Sequence, residues 1–200
     1  MTAAAQLDCI ESKLLATGEA LDLFAQGREA AVLMPFRETA EGALELIFTK
    51  RRDDLPSHAG QISFPGGSSD PGDADHVATA LRESEEELGI PESAVRVIGA
   101  LEPMSTFVSD FAVYPIAGVV DPAIVLMPNP GEVDQVFSVA VAELIAVREH
   151  REMQRGAMTF KTEAYETDGG LIWGVTGYIL GRLLDRIGAC FPEPTPRESA

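Results

Sequence analysis

The chain has 200 residues, of which 46% are hydrophobic and 24% are charged, as in a single globular domain and unlike a disordered chain. Its formal net charge of −17 argues against nucleic acid or an anionic membrane as a partner, because both attract basic surfaces. An acidic chain that handled phosphates would need metal ions and a local basic cluster.

The N-terminal part offers no chemistry of its own. Its apolar residues predict one or two amphipathic helices, broken around Thr17-Gly18. No secretory signal pattern and no apolar run of about 20 residues is present, so we expect a cytoplasmic protein. Cys9 and Cys190 lie near opposite ends without C-x-x-C spacing, which predicts reduced thiols.

A basic cluster follows two predicted strands. Residues 30–36 and 44–51 predict a β-hairpin, and its second strand leads into Lys50, Arg51 and Arg52, the densest basic cluster in the chain. A solvated strand end would explain the cluster equally well. Its position before a glycine loop favours contact with phosphate, which Arg can bind with two hydrogen bonds.

The most informative segment is a helix rich in carboxylates. It is predicted to begin near Asp73 or Asp75, since Asp favours the N-terminal cap, and to end at Gly89, which accepts left-handed geometry. At about 100° per residue, an apolar stripe separates from three clustered carboxylates: Glu83, Glu86 and Glu87.

These three carboxylates allow two interpretations. Their mutual repulsion favours a hard divalent cation such as Mg²⁺, which prefers carboxylate oxygens, whereas most glutamate runs are solvated helix faces. Glu85 lies away from the group, and Arg82 is placed one turn before Glu86, where an ion pair can form.

The remaining elements are predicted from periodicity and turn residues. They comprise strands at 95–101, 111–120, 158–165 and 170–173, a loop at 121–132, a short helix at 140–149, a turn at 167–170 and a core-packed helix at 175–187.

Residues 82–90, R-E-S-E-E-E-L-G-I, resemble the end of the Nudix box, G-x5-E-x7-R-E-U-x-E-E-x-G-U, where U is a bulky aliphatic residue. The E-x-x-E-E core is intact, and Ser84 stands where an aliphatic residue is usual. In the first half of the pattern, Ala74 occupies the position of a glutamate. Asp73 or Asp70 is the candidate replacement for that acid.

A longer resemblance points to the Nudix coenzyme A pyrophosphatases, whose signature is L-L-T-x-R-[SA]-x3-R-x3-G-x3-F-P-G-G. Arg51, Gly60 and the F-P-G-G block at 64–67 are in register. Arg52 replaces the small residue, and Pro56 replaces the second arginine. With further matching segments at 130–133 and 172–177, the resemblance covers roughly residues 30–184.

The resemblance implies an α/β fold: a Nudix α/β/α sandwich with a mixed central sheet between helices and a loop–helix–loop catalytic motif. We divide the chain into an N-terminal helical extension packed on the domain (1–29), a Nudix domain (30–190) and a loose tail (191–200). Many Nudix proteins dimerise, so a homodimer is an open expectation, although no seam identifies a partner surface.

The implied activity is hydrolysis of a small-molecule diphosphate with Mg²⁺ or Mn²⁺ as cofactor. Coenzyme A or an acyl-CoA, giving 3′,5′-ADP and a phosphopantetheine, is the expected substrate. The alternatives are another nucleoside diphosphate derivative, such as ADP-ribose or a dinucleotide, and a Nudix domain that binds a nucleotide without catalysis. The metal would be held by the box glutamates: Glu83, Glu86 and Glu87.

The resemblance also implies roles for other residues. Arg82 would hold a glutamate in place, and the general base would be a box glutamate or Glu132. Trp173 is interpreted as core packing rather than substrate stacking, and His58 and His76 as surface residues. Contacts to substrate phosphate are expected from the basic cluster and the glycine pair: Lys50, Arg51, Arg52, Gly66 and Gly67.

Overall fold

The computed structural model describes residues 1–54, 59–106, 110–155 and 158–191; Pro56, His58 and the predicted tail beyond residue 191 lie outside the described residues. Five α-helices occur in this part of the chain: α1 (Ala3–Glu11), α2 (Thr17–Leu21), α3 (His76–Leu88), α4 (Val141–Val147) and α5 (Gly174–Ile187). None of the described helices is long and apolar enough to cross a membrane.

The larger sheet has eight strands: β1 (Arg28–Glu38), β2 (Leu44–Arg51), β3 (Ile62–Ser63), β4 (Gly66–Ser68), β5 (Val95–Ala100), β6 (Met104–Ser105), β7 (Phe111–Val120) and β8 (Val133–Ala140). Its central order is β3-β2-β1-β7-β5, with β4 beside β1, β6 beside β7 and β8 beside β2. β1 and β7 run parallel, whereas β1 and β2 form the predicted antiparallel hairpin, so the sheet is mixed.

A second, antiparallel sheet has the order β11-β10-β9 and contains β9 (Arg148–Arg155), β10 (Met158–Thr167) and β11 (Gly170–Ile172). The predicted turn connects β10 to β11, where Thr167 pairs with Gly170. Helix α5 follows directly and packs on β10. This sheet therefore places the start of α5 next to the larger sheet.

The larger sheet is covered on both faces. Ala31 and Leu33 of β1 share an apolar cluster with Ala80 and Leu81 of α3. The neighbouring positions of β1 face the other way, into a core that contains residues of α1 and α5. Since side chains alternate along a strand, β1 is buried on both sides, and the predicted α/β/α sandwich is confirmed.

Several local predictions need correction. The helix predicted at 140–149 ends at Val147, and residues 148–155 form β9 instead. Strand β8 was not predicted, because its residues do not alternate between apolar and polar. Phe191, assigned to the loose tail, is 8% exposed and belongs to the core. The boundary between extension and domain stays a prediction, although α1 contributes Ile10 to the main core.

The prediction of two reduced thiols is wrong. Cys9 and Cys190 form a disulfide across a sequence separation of 181 residues. Their distance in the sequence concealed their proximity, because α1 packs against α5 and the turn after it. The disulfide removes the thiols as an argument for a cytoplasmic location.

Candidate active site

Helix α3 has the predicted limits. The side chain of Asp75 accepts a hydrogen bond from the Ala78 N–H at 2.9 Å, as an N-terminal cap does. Gly89 closes the other end with a φ of 67°, a left-handed geometry that favours glycine. The helix buries Leu81, Ser84 and Leu88, so the predicted division of its faces is correct for the apolar stripe.

Arg82 organises the acidic side of the helix. Its Nη1 donates to Glu83 Oε1 at 3.0 Å and to Glu86 Oε1 at 3.2 Å, and its Nη2 donates to the Ser68 carbonyl at 3.0 Å. Arg82 Nε donates to Asp73 Oδ1 at 2.9 Å. The predicted positioning role therefore has a geometric basis, and it includes two glutamates.

Of the two candidates for the replaced box acid, Asp73 is the one that contacts Arg82. Its Oδ2 also accepts hydrogen bonds from the Thr79 hydroxyl at 2.8 Å and the Asp70 N–H at 2.9 Å. The Arg82 guanidinium holds the pKa of the Asp73 carboxyl well below its usual range. Asp70 contributes a backbone donor to this arrangement.

The glycine pair shapes the space around the acidic helix. A Cβ on Gly67 would lie 2.5 Å from the Glu83 carboxyl carbon, and one on Gly66, whose φ is +156°, would overlap the Ala31 carbonyl oxygen. We predicted that these glycines let the backbone approach phosphate. The structure adds that Gly67 makes room for the Glu83 carboxylate of the acidic helix and Gly66 lets β4 pair closely with β1.

Glu87 is the most buried of the three glutamates. It is 3% exposed, and its Oε1 lies 3.5 Å from Arg51 Nη1. Among the described residues, its Oε2 and Arg51 Nε are the buried side-chain polar atoms without a hydrogen-bond partner. Burial raises the pKa of Glu87 to about 8, Arg51 opposes the shift, and the neighbouring Glu83 adds to it.

The pKa of Glu83 is shifted in the same direction as that of Glu87. Burial raises its pKa, Arg82 opposes the rise, and the charges of Glu86 and Glu132 add to it. Two adjacent carboxylates that resist ionisation, one with an oxygen lacking any partner, match the chemistry of a cation-binding donor set. The residues present therefore fit a hard divalent ion.

The predicted metal triad is nevertheless not assembled in this structure. No group of three or more His, Cys, Asp or Glu side chains in the described ranges is arranged to hold a metal. Arg82 forms ion pairs with Glu83 and Glu86, the Glu86 side chain is 58% exposed, and Glu87 faces Arg51. The helical period predicts that the three glutamates lie on one side of the helix, but it cannot show which arginines pair with them.

The structure separates the members of the basic cluster. Arg51 reaches Glu87, but Arg52 donates to both oxygens of Asp54, at 2.8 and 2.7 Å, and to the Pro130 carbonyl at 2.7 Å. The pairing of β2 with β8 is irregular between Lys50 and Arg51. Arg51 lines the cleft described below, whereas Lys50 and Arg52 are not among its lining residues.

Glu132 lies on a loop fastened to the end of α3. The Asn129 N–H donates to the Glu87 carbonyl at 2.9 Å, and the Arg52 N–H donates to the Glu132 carbonyl at 3.1 Å. The negative charge of Glu132 raises the pKa of both Glu83 and Glu87. The structure thus brings Glu132 near the acidic helix, as predicted, although its side chain is exposed.

A cleft of about 610 Å³ opens between the larger sheet and the start of α5. Its walls include both glycines and Arg51 at one end and aromatic residues elsewhere: Gly66, Gly67, Arg51, Phe111 and Trp173. The first residues of α5 also line it, and this helix start has no side-chain cap. Such a space has the size of a small-molecule site.

Two cleft residues differ from the sequence interpretation. Trp173, expected in the core, is half-buried in the cleft wall, because it immediately precedes α5 at the cleft. Arg28, which we did not single out, lies on the same cleft with its guanidinium 4.3 Å from the centre of the Phe111 ring. An isolated arginine at a strand start carries no sequence signal that would have revealed this position.

His76 is not an exposed surface residue. Its ring stacks on Tyr114 with centroids 3.5 Å apart, and its Nε2 lies 3.4 Å from Glu29 Oε2. The side chain is 16% exposed. His76 therefore helps to seat the first turn of α3 on β7.

The arrangement of an acidic helix behind a glycine loop, on a mixed sheet between helices, is that of a phosphate-handling α/β domain. The NUDIX domain family model matches residues 27–159, and the chain belongs to this family and is a Nudix hydrolase.

Two relatives agree with this assignment. The Nudix hydrolase NudL of Photorhabdus laumondii is 37% identical over 162 residues, covering 80% of this chain and 85% of the relative. NudL of Yersinia enterocolitica is 38% identical over 165 residues, covering 82% and 83%. The crystal structure of the Nudix hydrolase RenU of M. smegmatis covers 90% of this chain and 97% of its own, with a TM-score of 0.57 and 13% identity. At that identity RenU supports the fold alone.

Proposed function

We propose that this Nudix hydrolase cleaves the diphosphate of coenzyme A or an acyl-CoA, giving 3′,5′-ADP and a phosphopantetheine. The observation that carries the hydrolytic site is the pair Glu83 and Glu87: Glu83 is half-buried against Gly67, and Glu87 is buried with one carboxylate oxygen lacking a partner. The substrate rests on the in-register signature at Arg51, Gly60 and the F-P-G-G block. Both features lie beside the same cleft.

Nudix hydrolases generally use divalent metal ions such as Mg²⁺ or Mn²⁺. Glu83, Glu86 and Glu87 would hold such an ion here, and it would supply charge neutralisation at the diphosphate and a lower pKa for the attacking water. Glu83 and Glu86 are paired with Arg82. To bind a metal ion they must therefore leave Arg82 or share their carboxylate oxygens between Arg82 and the ion. Asp73 keeps Arg82 in place for either state.

The protein's own groups supply the remaining functions. Arg51, already on the cleft, would contact a substrate phosphate with its guanidinium. Gly67 leaves room for the Glu83 carboxylate, and Gly66 allows β4 to pair closely with β1 at the edge of the cleft. The proton acceptor would be a box glutamate or Glu132, whose loop is fixed to α3 by the Asn129–Glu87 backbone hydrogen bond.

The proposal also includes an assembly state, a location and a choice of metal. A homodimer stays a prediction. The cytoplasmic location also stays a prediction, and the Cys9–Cys190 disulfide argues against it, since cytosolic reductants keep most thiols reduced. The metal identity, Mg²⁺ or Mn²⁺, follows from the family, and carboxylate oxygens suit such ions.

The test is an assay of the purified protein with Mg²⁺ or Mn²⁺ against coenzyme A, ADP-ribose and dinucleotides, read by product chromatography. We expect 3′,5′-ADP from coenzyme A. Cleavage of ADP-ribose or a dinucleotide without release of 3′,5′-ADP would support the alternative substrate class. No turnover of any of them would support a nucleotide-binding domain without catalysis.

Glu83→Gln gives the matched site variant. It should lower kcat/KM by more than about 100-fold, because even groups that only support metal ligands typically contribute 10- to 100-fold. Glu85→Gln, an exposed glutamate of the same helix outside the cluster, is the control and should retain activity. Equal rates for both variants would refute the assignment of the helix.

A further inference from the structure

The far part of the cleft contains a cation that the proposed chemistry does not use. Arg28 is an exposed residue at the start of β1, and its guanidinium lies over the Phe111 ring on the cleft wall. The diphosphate would sit by Arg51 and the glycine pair. Arg28 is therefore free to contact a different part of a bound molecule.

The pairing of charges in the chain sets Arg28 apart. Among the arginines whose side chains the structure describes, Arg28 alone makes no salt bridge; nine others each contact a carboxylate. A net charge of −17 makes an unpaired guanidinium on a cleft wall an uncommon local feature. Such a group attracts an anionic ligand to this end of the cleft.

The backbone fixes Arg28 at this position. Gly27 has a φ of +128°, and a Cβ there would lie 2.7 Å from the Phe111 carbonyl carbon, so the glycine permits close approach to the start of β7. The Arg28 N–H donates to the Asp110 carbonyl at 2.8 Å, and Arg28 is paired in register with Phe111. The arginine is thereby seated on its aromatic neighbour rather than extended at random into solvent.

The strand register gives the separation from the diphosphate end. Val32 of β1 pairs with Gly66, and Arg28 lies four residues earlier on the same side of the strand. At about 3.3 Å per residue, the Cα atoms of Arg28 and Val32 are about 13 Å apart. A nucleoside that carries its own phosphate, in addition to the diphosphate, spans a distance of this order when side-chain reach is included.

We propose that Arg28, supported by the Phe111 ring, is a specificity-determining residue that binds a phosphate monoester on the nucleoside part of the substrate, away from the diphosphate. The guanidinium has the fork geometry that binds phosphate oxygens, and its stacking on the ring leaves its edge available for them. This inference rests on the proposed function, because the diphosphate position defines which end of the cleft is the far one.

The test compares substrates that differ only in this phosphate. Coenzyme A and its 3′-dephospho form are assayed with the wild type and Arg28→Gln, and the quantity is the ratio of their kcat/KM values. The variant should lower this ratio by about 10- to 100-fold, as expected for a lost charge-assisted hydrogen bond. An unchanged ratio would overturn the inference, whether both rates fall together or neither falls.

Two further arms separate this inference from the proposed function. Arg96→Gln, which removes a cation paired with Glu11 away from the cleft, should leave the ratio unaltered. Calorimetric binding of 3′,5′-ADP against 5′-AMP requires no turnover, and Arg28→Gln should remove the preference for 3′,5′-ADP. If coenzyme A is not cleaved, the proposed substrate is wrong and the binding arm still decides; a wild type without that preference contradicts the role of Arg28.

Discussion

Two regions of the molecule hold a partly or fully buried glutamate close to a glycine. The two regions differ in how completely the carboxylate is hydrogen-bonded. Behind the cleft, Glu83 faces Gly67 and its neighbour Glu87 has an oxygen with no partner. Between β10 and α5, the Glu163 carboxylate lies where a Cβ on Gly181 would overlap it. The surroundings of these carboxylates differ more than their packing does.

Both carboxylate oxygens of Glu163 accept hydrogen bonds from neighbouring side chains. Arg148 donates to its two oxygens at 3.0 and 2.7 Å, and the Tyr165 hydroxyl donates to Oε2 at 2.7 Å. Arg148 is shared with Asp185 at 2.6 Å. Glu87, by contrast, has one distant cation at 3.5 Å. A satisfied buried carboxylate fastens two elements together, whereas an unsatisfied one keeps capacity for a ligand.

The largest effect that would sharpen this contrast is the loss of the Glu163 charge. Glu163→Gln should lower the free energy of unfolding by about 3 kcal/mol, because it removes the charge paired with Arg148 and turns one of the two acceptor atoms into a donor in a partly buried place. Urea unfolding of the variant and the wild type measures the difference. A variant as stable as the wild type would show that the cluster does not hold β10 to α5.

The two glycines give the next comparison. Gly67→Ala should displace the Glu83 carboxylate, the free end of a flexible side chain, and lower kcat/KM by about 10- to 100-fold, the usual cost of disturbing the support of a metal site. Its unfolding free energy should change little. Gly181→Ala should lower the unfolding free energy and leave kcat/KM nearly unchanged, because the Glu163 carboxylate that its Cβ would meet is fixed by Arg148 and Tyr165.

Activity assays and urea unfolding on both variants decide this prediction. The comparison fails if Gly67→Ala is unfolded or if Gly181→Ala is inactive while fully stable. Either result would mean that the two glycines support the same function.

The smallest effect concerns pH. The pKa of Glu87 is raised from 4.5 to about 8 by burial, so the folded protein keeps a proton that the unfolded chain has lost. The stability that this proton contributes is complete below about pH 4.5 and is lost as the pH rises through about 8. Glu87→Gln has no such loss, so its stability relative to the wild type should rise over this range.

The measurement is Tm in EDTA at pH 5 and pH 8.5. The difference in Tm between Glu87→Gln and the wild type should increase by at least about 3 °C, since each kcal/mol corresponds to roughly 2–4 °C in a chain of this size. Glu85→Gln, which is exposed on the same helix, should show no such increase. A pH-independent difference would contradict the raised pKa of Glu87.

Local signals made the acidic helix predictable. Asp75 and Gly89 are residue types with strong preferences for helix ends, and the 3.6-residue period placed Leu81, Ser84 and Leu88 on the core side. The identity of the family also followed from short motifs. These features depend on residues that are close together in the sequence, so one sequence is enough to predict them.

Other features depended on distant partners. β9 (Arg148–Arg155) is built from charged residues and gains its strand geometry by pairing with β10, which no period in its sequence reveals. Arg52 and Arg51 are adjacent and look equivalent, yet only Arg51 reaches the cleft. Arg28 becomes notable only when the sheet places it beside Phe111, and Cys9 meets Cys190 only after both ends pack together.

The Cys9–Cys190 disulfide turns nearly the whole chain into a covalent ring, because 181 positions separate its two members. Closing a ring of that size restricts the unfolded chain and stabilises the fold by about 5 kcal/mol in the chain-entropy account. A single break in any surface loop within the ring would leave one molecule with new ends rather than two fragments. The acidic helix and the cleft would then remain tethered through α1, which carries Cys9, and the turn after α5, which carries Cys190, even though the peptide path between them was cut.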